Sequence, residues 1–165
     1  MKIYDISVPI KLGMPVWPGD PQVELTPLSS IADGDPANLT QVCMSVHTGT
    51  HIDAPKHFID NGKTIDQIPL EKLCGLTFVI QMGDEVDVID EKILKSHPNF
   101  QLLKKTSKVL FRTRNSSYWS TYPTEFQLNY VGIDKSGARF LEDLGLDLVG
   151  IDYLSVASFQ DTKSP

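Results

Sequence analysis

Apolar and polar positions alternate over residues 41–46: Val42, Met44 and Val46 fall on one face, Gln41, Cys43 and Ser45 on the other. That two-residue period predicts a strand with one buried face. The opening residues 3–8 read as a shorter strand. Between them "PIKLGMPVWPGDPQ" cannot be regular, because Pro9, Pro15, Pro18 and Pro21 remove backbone donors while Gly13 and Gly19 permit turns. "IADGDPAN", residues 31–38, is a second turn-rich stretch.

Further along, "IPLEKLCG" predicts a short helical turn ending at Gly75, and residues 77–81 an apolar strand. "DVIDEKILKSH" carries acidic residues early and basic residues late, as helix-terminal electrostatics favours, and puts His97 at a helix C-terminus. "KVLFRT" reads as a strand followed by Arg112 and Arg114, which are equally well explained as surface charge. A helix over residues 134–144 stops at Gly145, and a strand over 146–151 ends at Asp152. Polar residues at such strand ends often face a crevice, which makes Asp152 either a site residue or a support. The sum is an α/β framework.

Composition bounds the setting. With 165 residues, 41% of them hydrophobic, the expectation is one domain over residues 1–165 with a real core. Fifteen basic against 21 acidic residues give a net charge of -6, which argues against a broad nucleic-acid surface. Lys104, Lys105 and Lys108 read as a solvated loop. Cys43 and Cys74 sit among apolar neighbours with no spacing that demands pairing, as in reduced compartments. The N-terminus lacks a secretory pattern and no run approaches the roughly 20 apolar residues of a membrane span, so the expected location is the cytoplasm.

The candidate chemistry lies in "SVHTGTHIDAPKHF", residues 45–58, which holds three of the four histidines around Asp53. As one straight strand, His47 and Asp53 would have α-carbons about 20 Å apart. Metal bonds are only about 2.0–2.2 Å long, so the chain must bend if the two share a metal. Gly49 within "TGT" supplies the bend, and Pro55 redirects the chain so that His57 can return toward the same centre. Neutral imidazoles with a carboxylate suit zinc, manganese or iron, while the lack of cysteine in the cluster argues against a structural thiolate site. A bound metal would acidify water and polarise a carbonyl, with His57 as a proton carrier or a neighbour of a second metal. Trp17, in the proline-glycine loop, reads either as a core plug or as an apolar pocket wall, and Phe58 and Tyr153 are further candidates for that wall.

In the same order, "MPVWPGD", "HTGTHIDAPKHF", "LEKLCG" and "LVGIDYLSV" resemble the cyclase-like metal-dependent amidohydrolases, the group of bacterial kynurenine formamidases and isatin hydrolases. The resemblance runs across nearly the whole chain. It implies a swivelling β/β/α-type domain with a mixed β core and peripheral helices. It also implies one or two zinc or manganese ions and a homodimer or higher homo-oligomer. His47, His51 and Asp53 correspond to metal ligands, His57 to the general base or second-metal neighbour, and Trp17 to an aromatic near the substrate. The implied reaction is hydrolysis of a formamide or related, even cyclic, amide, with a formylkynurenine-type small molecule favoured as substrate. Related sequences continue with a further histidine and glutamate, whereas here no histidine follows His97. The resemblance therefore also implies a domain incomplete at its C-terminus. The alternative expectation is a non-catalytic metal or small-ligand binding module.

Overall fold

In the computed structural model, which describes residues 2–160, the chain forms two compact units. One runs up to Ile52 and includes Tyr122–Phe126; the other comprises Asp53–Thr121 and the chain from Gln127 onward.

The first unit is built on an antiparallel hairpin of β1 (Glu24–Ser29) and β2 (Leu39–Cys43), paired from Glu24 with Cys43 to Ser29 with Leu39. Its register shifts between Pro27 and Ser29, as suits a proline that has no ladder donor. The connection is held by side chains: Ser30 N–H donates to Asp35 Oδ2 at 2.8 Å, and Ile31 N–H to Asn38 Oδ1 at 2.9 Å. Met14, Val16 and Val23 form its buried apolar residues.

Two expectations fail in this unit. Residues 3–8 form no strand, since no ladder among the described residues pairs their backbone, and Ile3 and Ile6 are exposed. The alternating strand stops at Cys43, and Val42, Met44 and Val46 on its apolar face are exposed. Alternation identifies an apolar face but not what covers it. Strand β1 was not expected at all.

The second unit carries the larger core. Strands β3 (Phe78–Gln81), β5 (Lys108–Arg112) and β7 (Leu148–Ile151) form a parallel sheet in that order, and β4 (Val88–Ile89) pairs in parallel with β6 (Gly132–Ile133). The crossovers that parallel pairing requires contain short helices. These are α2 (Glu91–Ser96) and α3 (Phe100–Leu103) before β5, with α4 (Tyr118–Thr121) and α5 (Lys135–Asp143) before β7; α1 (Leu70–Leu73) precedes the sheet. Capping explains where they start. Asp90 Oδ1 accepts from Ile93 N–H at 2.6 Å, and Asp134 Oδ1 from Gly137 N–H at 2.8 Å. Ile80, Ile89, Leu94, Leu103, Val109 and Phe111 are essentially inaccessible in the core between helices and sheet. A side chain on Gly137 would meet Ile89 O at 2.3 Å, so only glycine lets α5 lie this close to β4. The expected mixed α/β architecture is therefore observed. Among the described residues, no helix is long and apolar enough to cross a membrane.

The polar residues at the ends of β5 and β7 are structural. The Asp152 carboxylate accepts from Thr113 N–H and Thr113 Oγ1–H, both at 2.8 Å, from Ser116 N–H at 3.0 Å and from Ser116 Oγ–H at 2.5 Å. Arg114 reaches Asp84 O, Val86 O and Asp87, and His97 caps α2 while its Nε2–H donates to Gln81 O at 3.0 Å. Asn115 is fully buried, donates from Nδ2 to Val131 O and accepts from Val131 N–H, each at 2.8 Å. Asn115→Ala orphans both Val131 groups and is expected to lower stability by roughly 2–4 kcal/mol, read as a reduced urea midpoint with an unchanged m-value.

Candidate metal centre

The segment beyond β2 turns at once. His47 N–H donates to Ser45 Oγ at 3.2 Å, and Thr48 N–H to Ser45 O at 3.1 Å. Gly49 then takes φ +66°, the left-handed region that opposes a side chain. A Cβ there would also lie 2.6 Å from Ile10 Cδ1. The next residue is tied down in turn, Thr50 Oγ1 accepting from Val8 N–H at 2.8 Å. The bend expected at Gly49 is thus present, packed against residues 8–14 of the same unit.

That bend gathers His47, His51 and Asp53, each offering a ligand atom within 4.8 Å of the others. The two imidazoles are half-buried and meet edge-on, with centroids 5.2 Å apart and planes at 84°, while the carboxylate is exposed. His51 Nδ1 lies 2.9 Å from Gly49 O. A carbonyl can only accept, so Nδ1–H is the donor. This is the arrangement that orients a metal-ligating imidazole.

The donor set fits a divalent ion. With bonds of about 2.0–2.2 Å, donor atoms around one metal lie at most about 4.4 Å apart. The observed 4.8 Å limit is therefore within a small side-chain adjustment. Two imidazoles and one carboxylate suit zinc, manganese or iron.

His57 stands outside this group of three. It closes the 3₁₀ turn Pro55–His57, its N–H donating to Ala54 O at 2.9 Å, and its exposed ring lies 4.2 Å from that of Phe58. Trp17 packs edge-on against Phe126 at 5.3 Å. A cavity of about 390 Å³ opens beside Asp53 and Phe58, walled by Leu141, Leu146, Val149 and Val156. Tyr153 instead sits in an aromatic cluster with Tyr118, Trp119 and Tyr130, where burial pushes its hydroxyl pKa up. Sequence reasoning missed the roles of Ser45 and of the Gly49 carbonyl, since backbone acceptors leave no mark in side-chain spacing.

The Cyclase family model matches residues 4–158. The chain belongs to this family. It is 36% identical over 167 residues to "Cyclase-like protein 2" of Arabidopsis thaliana, covering 97% of the chain and 60% of that relative. It is 30% identical over 162 residues to a "Kynurenine formamidase" of Bacillus anthracis, covering 98% of the chain and 73% of that protein. A solved "Potential Metal-Dependent Hydrolase With Cyclase Activity" superposes with a TM-score of 0.72 at 31% identity, over 94% of the chain and 69% of that structure. The cyclase-family chain thus spans about 60% of the length of the plant relative.

Two outcomes are expected for this cluster. Purified protein supplemented with zinc or manganese is expected to hold near-stoichiometric metal by elemental analysis, and His51→Ala to lose it under the same preparation. Gly49→Ala places a side chain in the left-handed region, which costs about 1–2 kcal/mol; a lowered thermal midpoint with reduced metal content is the expected pair of readouts.

Proposed function

We propose that the protein belongs to a metal-dependent hydrolase that cleaves a formamide or related, including cyclic, amide, with a formylkynurenine-type substrate favoured. The observation that carries this reading is the convergence of His47, His51 and Asp53 in a cyclase-family chain. The substrate class comes from the kynurenine formamidases among its relatives.

When bound, a divalent zinc or manganese ion, one or two per site, lowers the pKa of water and polarises the substrate carbonyl. His47, His51 and Asp53 would hold it, with His51 Nδ1–H donating to Gly49 O. Water adds to the formyl carbon, the C–N bond breaks, and formate and the free amine leave. His57 takes the proton from water and delivers it to the departing nitrogen. His57 lies on the 3₁₀ turn Pro55–His57 that follows Asp53 in the chain. Trp17 offers an aromatic face for the substrate's aryl group, as the family resemblance implies. The reading includes a homodimer or higher homo-oligomer, supported by the exposed Leu39, Val42 and Met44 of the hairpin and the residue beyond it. It also includes a cytoplasmic setting, with which the exposed free thiols of Cys43 and Cys74 agree.

Turnover of N-formylkynurenine by the metal-loaded protein is the direct test. His57→Ala is expected to lower kcat about 10²–10⁴-fold while metal content stays at the wild-type level. Unchanged kcat would remove His57 from the base role. Stoichiometric metal with no turnover of any formamide or cyclic amide would favour a binding module instead.

A further inference from the structure

Three hydroxyls lie in the loop that carries the two imidazoles, and their environments differ. Ser45 Oγ accepts from His47 N–H, and Thr50 Oγ1 accepts from Val8 N–H. Thr48 Oγ1 has no partner, and among the described residues it is the buried side-chain polar atom left so. Thr48 is only 4% exposed, so bulk water does not satisfy it.

A buried hydroxyl without a partner destabilises a fold, and the same site would accept valine, which has the same branching and no polar atom. Packing alone therefore does not account for threonine here. Its position is informative. Thr48 follows His47 and precedes Gly49, whose carbonyl holds the His51 ring. Whatever engages the Thr48 hydroxyl acts within one residue of a first imidazole and of the acceptor that fixes the second.

We propose that Thr48 is a positioning residue of the metal centre, its hydroxyl pairing with an oxygen ordered around the bound divalent cation. This rests on the reading of His47, His51 and Asp53 as metal ligands. A hydroxyl can donate and accept at once, so it can serve either a carboxylate oxygen or a water. Outer partners of this kind orient ligands, and their loss typically weakens metal binding about 10–100-fold. The hydroxyl thus lowers the stability of the loop without cation and strengthens its grip on the cation, the pattern expected where function and stability conflict.

The test compares the full chain with Thr48→Val and Thr48→Ser. Zinc and manganese affinities are measured by competition with a chromogenic chelator, and urea midpoints are measured in EDTA. Thr48→Val is expected to bind cation about 10–100-fold more weakly while matching or exceeding the wild-type midpoint in EDTA. Thr48→Ser, which keeps the hydroxyl, is expected to stay within a few-fold of wild-type affinity. Equal affinity in Thr48→Val would overturn the proposal and leave the metal centre intact. A lower EDTA midpoint in Thr48→Val would also overturn it, showing that the hydroxyl has a partner in the protein itself. Folded wild type that binds neither cation would refute the metal centre, and this role of Thr48 with it.

Discussion

The candidate site depends on one conformational constraint, the left-handed turn at Gly49. Without a bend, the backbone would hold His47 and Asp53 about 20 Å apart. With φ +66° at Gly49, ligand atoms of His47, His51 and Asp53 come within 4.8 Å of one another. The same residue supplies the carbonyl that accepts a hydrogen bond from His51 Nδ1–H. One glycine therefore both brings the second imidazole round and sets which nitrogen it offers. Two anchors hold the turn: close packing against Ile10, and the bond from Val8 N–H to Thr50 Oγ1. Residues 8–10 lie outside regular structure, but they brace the loop.

In parallel α/β sheets, the carboxyl ends of the strands are the usual place for a ligand. Here those ends are closed by internal bonding. Asp152 spends its carboxylate on Thr113 and Ser116, its carbonyl accepts from Trp119 Nε1–H at 3.0 Å, and Asn115 bridges to Val131. A carboxylate so fully engaged is not available as a base or a ligand. The candidate ligands lie instead on a connecting segment, the kind of element on which binding and catalytic residues are often carried.

Signals complete within a few residues were legible in the sequence. The charge order over residues 87–97 and the stop at Gly145 located α2 and α5, and short apolar runs located β3, β5 and β7. The bend at Gly49 followed from ligand geometry alone. Features that depend on distant partners were not legible. Residues 3–8 have strand-like composition, yet a strand exists only where a neighbour completes its ladder. The alternation over residues 41–46 named an apolar face that remains exposed. Pro55 marked a change of direction without fixing its destination, and His57 ends on a turn outside the group of three. Thr48 resembled its neighbour Thr50 in sequence; burial and hydrogen bonding separate them.

The ligand chemistry bears on what such a centre is for. Two neutral imidazoles and one carboxylate leave a divalent cation with net positive charge, whereas a four-thiolate set reverses its sign. A cation that keeps its charge withdraws electrons from an incoming carbonyl or water. The exposed Asp53 beside half-buried histidines gives that centre a side open to solvent. The donor type favours a reactive centre over a structural thiolate one. Structural zinc sites are closed by four protein ligands, often with thiolates among them.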